Sequence, residues 1–170
     1  MFEAITAWST IVIAVGTLAS IFFTYRGMQK QTQSFAGSVS AELALKLLHG
    51  FDDDSFRSLR SRVADAFLKK LRVGEAEDLF DFFEQIGLFL RRGLLDVEIA
   101  HSFFFHWANL YWVAGKSVIQ EKREGCVTLW ADFEYLYDSL LQIEIKTDAR
   151  SRFINMTPDL LRACLEEEVE

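Results

Sequence analysis

The longest hydrophobic stretch in the chain comes first. From Ala4 to Tyr25 the run AITAWSTIVIAVGTLASIFFTY carries no charged side chain. A helix advances about 1.5 Å per residue, so about 20 apolar residues cross the hydrocarbon core of a bilayer. Within lipid, every backbone N–H and C=O must find a partner inside the segment, which a helix provides. A buried core helix of this length would carry a charge on some face. A cleaved signal peptide would open with basic residues, and here the one charged side chain before the run is Glu3. Residues 1–25 are therefore expected to form a membrane-spanning anchor.

Beyond the anchor the pattern changes to short amphipathic segments. Residues 26–40 (RGMQKQTQSFAGSVS) are polar and read as a juxtamembrane spacer. Ala41–His49 predicts a short helix stopped by Gly50. Asp54 or Ser55 caps a second helix to about Leu71, with Phe56, Leu59, Val63 and Phe67 as its stripe. Arg57, Arg60 and Arg62 read as a solvated or ion-paired face mostly off that stripe. Glu75–Arg92 has acids in its first turn and arginines in its last, matching the helix dipole, with Gly93 as the C′ residue. Gly87 within it predicts a close neighbour. Asp96 caps a long, Phe-rich helix to about Arg123, apolar on more than one side and hence central. Thr128 to about Ile145 is amphipathic again. Thr157-Pro158 starts a last helix that ends in EEEVE, expected to be solvated and frayed. The fold class is all-α: one N-terminal transmembrane helix followed by a cytoplasmic bundle of five or six helices over 41–170.

Orientation follows from the flanks. Glu3 lies before the run, and Arg26 and Lys30 follow it. Basic residues stay inside, so the N-terminus is expected outside and residues 26–170 in the cytoplasm of a bacterial cell, with the anchor in the inner membrane. Trp8 and Tyr25, with Arg26 and Lys30, are the expected interface anchors. At about 100° per residue, Thr6, Ser9, Thr10, Thr17, Ser20 and Thr24 share one arc, bordered by Gly16. Small and hydroxyl residues permit close helix approach in lipid, so Thr6, Thr10, Gly16, Thr17, Ser20 and Thr24 are the candidate packing face. The competing reading is that each hydroxyl bonds the carbonyl one turn back in its own helix.

Charge and composition narrow the functions. Eighteen basic against 25 acidic residues give a net charge of −7, which argues against binding nucleic-acid phosphates. Cys126 and Cys164 show no metal or redox spacing and are expected as free thiols. Glu98-x-x-His101 has the spacing of half a di-metal carboxylate site, but a second such pair is missing from the sequence. Glu84 and Glu134 sit among aromatics and are candidate acid–base carboxylates. The simpler expectation makes each a structural partner of an arginine such as Arg60 or Arg123, or exposed. Neither a Gly-rich phosphate loop nor a nucleophile elbow is found. No cofactor, catalytic residue, metal or small-molecule substrate is indicated.

Several motifs stand together: FFEQIG (Phe82–Gly87), RRGLLD (Arg91–Asp96), a Phe-rich helix leading to Tyr111-Trp112, then Arg123 and Trp130-x-x-Phe133-Glu134. FRSLRSR (Phe56–Arg62) extends the set. In order and spacing the chain resembles a bacterial domain-of-unknown-function family of short helical proteins that often begin with a single membrane helix. The resemblance implies placement and fold and carries no activity. The functional expectation is a single-pass membrane protein, not an enzyme, whose helical domain binds a protein partner or itself as an adaptor, sensor or structural component. The alternative is a membrane effector that oligomerises through its anchor, as in stress or phage defence.

Overall fold

The computed structural model describes residues 37–71 and 74–169. The expected anchor and most of the spacer lie outside them. Among the described residues there is no strand, and no helix is long and apolar enough to cross a membrane. The elements are α1 (37–51), α2 (Asp54–Leu68), α3 (Ala76–Arg91), α4 (Val97–Arg123), α5 (Ala131–Thr147) and α6 (Pro158–Val169). Val39–Glu170 form one compact unit, which takes in Val39 and Ser40 from the segment read as spacer.

α1 does not stop at Gly50. It continues to Phe51, whose fully buried ring lies 5.3 Å from that of Phe82 and 5.6 Å from those of Phe56 and Trp107. Burying a phenylalanine is worth about 1.5–3 kcal/mol, against about 1 kcal/mol for a glycine in a helix, so the ring wins. Asp53, rather than Asp54 or Ser55, caps α2: its Oδ1 accepts from Ser55 N at 2.9 Å and from Ser55 Oγ at 2.6 Å. α2 closes at Leu68, short of Leu71. Lys70 adopts φ 54°, and Leu71 N–H donates to Ala66 O at 2.9 Å. That is the six-to-one bond of a Schellman cap, with lysine where glycine is usual. α3 ends in the same bond, Leu94 N–H to Phe89 O, with Gly93 at φ 68° as expected. Asp96 caps α4 as expected, accepting from Glu98 N and Ile99 N.

α3 and α5 pair most extensively, then α4 and α5, while α2 packs chiefly with α6. α4 is the central helix, with Phe104, Phe105, Leu110, Tyr111, Trp112 and Ile119 buried on several sides of it. Phe83 of α3 and Phe133 of α5 stack at 5.0 Å, and the Trp112 and Phe133 rings meet edge to face at 5.0 Å. The aromatic stripes of the sequence are thus core.

Candidate functional site

Polar chemistry concentrates in two places. The first is where α3 meets the start of α5. Asp81, Glu84, Gly87 and Arg91 are spaced three and four apart, which sets them along one face of α3. Each meets the segment Trp130–Phe133. Trp130 Nε1 donates to Asp81 Oδ1 at 2.8 Å, Phe133 N donates to Glu84 Oε2 at 2.6 Å, and Arg91 pairs with Asp132. A Cβ on Gly87 would stand 1.9 Å from Asp132 O, so only glycine allows α5 this close. From the end of α4, the Arg123 guanidinium donates to Leu129 O (2.8 Å), Trp130 O (3.1 Å) and Glu134 Oε2 (2.7 Å).

This arrangement solves a local problem. Trp130 occupies the N-cap of α5 at φ 54° and has no side-chain acceptor for the free first-turn N–H groups. Glu84, from a different helix, supplies the acceptor. Burial pushes the Glu84 carboxyl above its ordinary value of 4.5, and the bond from Phe133 N–H draws it part of the way back. Glu134 has the arginine partner that the sequence suggested. Glu84 instead meets backbone, and its geometry is that of a cap.

The second place is a buried charge under α6. Arg60 is 4% exposed and paired with Glu168, so of the solvated or ion-paired face expected for it the pairing holds and the solvation does not. The Phe51 and Trp107 rings lie 4.0 and 4.8 Å from its guanidinium carbon, and Glu168 Oε2 lies 3.7 Å from Nε. The same Glu168 oxygen accepts from Tyr111 Oη at 2.7 Å. Tyr111 is fully buried, and burial beside Glu168 holds its hydroxyl far above the usual phenol range. Glu168 is therefore seated, and the expectation of a solvated acidic tail fails at this residue. A signal for Arg60 was present: it falls four residues after Phe56 and three before Val63, on the apolar stripe itself.

The sequence-predicted membrane residues, Thr6, Trp8, Thr10, Gly16, Thr17, Ser20, Thr24, Tyr25, Arg26 and Lys30, lie outside the described residues. His101 pairs not with Glu98 but with Glu144 of α5, Nε2 to Oε2 at 2.9 Å, and Glu98 is exposed. Among the described residues no group of three His, Cys, Asp or Glu is placed to hold a metal. Cys126 is exposed and Cys164 buried, both as free thiols.

FFEQIG, RRGLLD, Arg123 and Trp130-x-x-Phe133-Glu134 thus converge on one junction. A family model, described as Domain of unknown function (DUF4760), matches residues 10–140, well over half of the chain. The chain belongs to this family. The DUF4760 match covers the whole α3–α4–α5 junction and stops before α6. No curated protein and no solved structure matches the chain.

Proposed function

We propose that this DUF4760 protein is a single-pass protein of the bacterial inner membrane, N-terminus outside, whose helical domain faces the cytoplasm and works by binding a protein partner or a second copy. The observation that carries this reading is the uncharged run Ala4–Tyr25 ahead of a closed helical unit. Support comes from the polar groups of that unit: Asp81, Glu84, Arg91 and Arg123 are all engaged in fixing helix to helix. Such a domain offers a rigid surface held at a membrane, which suits an adaptor, sensor or structural component. The test is purification of the full-length protein from its own membranes in mild detergent, with mass and composition measured. A second protein in fixed ratio, or a homo-oligomer, is the expected result; a lone monomer would sink the reading.

A second reading rests on the hydroxyl face of Thr6, Thr10, Thr17, Ser20 and Thr24 with Gly16. On that reading the anchors cluster and perturb the membrane. It predicts growth arrest on expression of the intact chain and none when residues 1–25 are removed.

A further inference from the structure

The Arg60 centre is under-satisfied by its own occupant. Nε and Nη1 of this buried guanidinium have no hydrogen-bond partner among the described residues. The nearest carboxylate oxygen, Glu168 Oε2, is 3.7 Å from Nε and gives its short contact to Tyr111 instead. A desolvated guanidinium with empty donors fits a carboxylate in bidentate geometry better than it fits this one.

The helix that supplies Glu168 is weak alone. α6 has 12 residues, near the length at which isolated helices are marginal. Glu166, Glu167 and Glu168 crowd its C-terminal end, where the dipole disfavours negative charge, and its last turn holds no basic residue. Its buried residues are Cys164 and Leu165. Its helical state therefore leans on the groove between α2 and α4, where Arg60 offsets the misplaced charge. The preceding chain is tied to the core at Phe153, whose carbonyl accepts from Asn109 Nδ2 at 2.7 Å, so the segment able to leave begins after it. The groove residues Arg60, Trp107 and Tyr111, with Phe51 of α1 against the Arg60 guanidinium, all fall within the family-matched span, and α6 lies beyond it.

We propose that the α2–α4 groove is a receptor for an acidic amphipathic helix, and that its occupant in trans is α6 of a second copy, in exchange with the α6 seated in cis. This deepens the interaction reading and rests on it. An incoming α6 is not held by the receiving copy's own Asn109–Phe153 tie and can bring Glu168 squarely onto Arg60. Self-association then needs no new surface, because each copy offers both groove and helix.

Fluorescence anisotropy of a labelled peptide of residues 156–170, titrated with the full-length protein in detergent, tests this. Glu168→Gln in the protein loosens the cis helix, so the wild-type peptide should bind that variant about tenfold more tightly than it binds wild type. Adding Arg60→Met should abolish the gain. Adding Tyr111→Phe, which keeps the ring and the fold, should reduce it about fivefold. Equal binding to wild type and Glu168→Gln, or indifference to Tyr111→Phe in a variant with unchanged helix content, would overturn the proposal. Sedimentation of the same wild-type sample separates the two ideas. Oligomers that persist without peptide binding remove the groove and leave the interaction reading; monomers without peptide binding remove both.

Discussion

At the scale of single residues, two positions set their own terms. Lys70 holds φ 54° to close α2, a conformation that costs an ordinary residue about 1–2 kcal/mol. Glycine escapes that strain but gains freedom in the unfolded chain, so Lys70→Gly is expected to stabilise by a net of about 1 kcal/mol in urea unfolding. His106 sits edge-on to Trp107 and Phe153 at 4.7 and 5.1 Å. Burial lowers its pKa below the ordinary 6.5, outweighing the pull of Glu168 and Glu167 in the other direction. The unfolded chain then binds the proton more readily than the fold does. Stability should rise with pH through the window between the lowered value and 6.5, then level off. His106→Gln should show a shallower rise in melting temperature across that window; an unchanged slope would assign the dependence to another group.

At the scale of elements, the start of α5 is decided by its neighbours. The sequence places it at Thr128, yet the helix begins at Ala131, because Arg123 takes the carbonyls of Leu129 and Trp130 and holds that segment as a turn. Trp130 tolerates its left-handed backbone because its ring is buried and its N–H reaches Asp81. The approach of α3 to α5 then hinges on Gly87. A methyl there would meet the Asp132 carbonyl, which is backbone and cannot rotate away. Gly87→Ala should cost about 3 kcal/mol, the upper part of the usual overpacking range. Chemical denaturation checks this, with loss of near-ultraviolet signal from Trp112 and Trp130 as the local readout. A cost near zero would mean that the two helices separate freely.

At the scale of the whole molecule, the proposed anchor over Ala4–Tyr25 has a test of its own. If its hydroxyl face packs against another copy, a cysteine at Thr17 should crosslink in native membranes and one at Val15 on the opposite face should not. Equal crosslinking at both positions removes the face and leaves a simple tether. The acidic domain and the groove under α6 concern the other end of the chain, so the two contacts can be tested apart.

The sequence by itself determined the helical class, the central place of α4, the caps at Asp96 and Gly93 and the close approach at Gly87, and it offered Arg123 as one of two arginine partners for Glu134. These are legible because they depend on local periodicity, dipole and cap chemistry, or on a residue that has few other uses. Only the tertiary structure decided that Gly50 lies within a helix, that Arg60 meets Glu168, that Glu84 caps a helix it does not belong to, and that Glu168 closes on Tyr111. Each of these joins residues far apart in the chain, where the gain from burial or from satisfying a backbone donor exceeds the local preference. Periodicity records which face of a helix turns inward; it does not record which partner waits there.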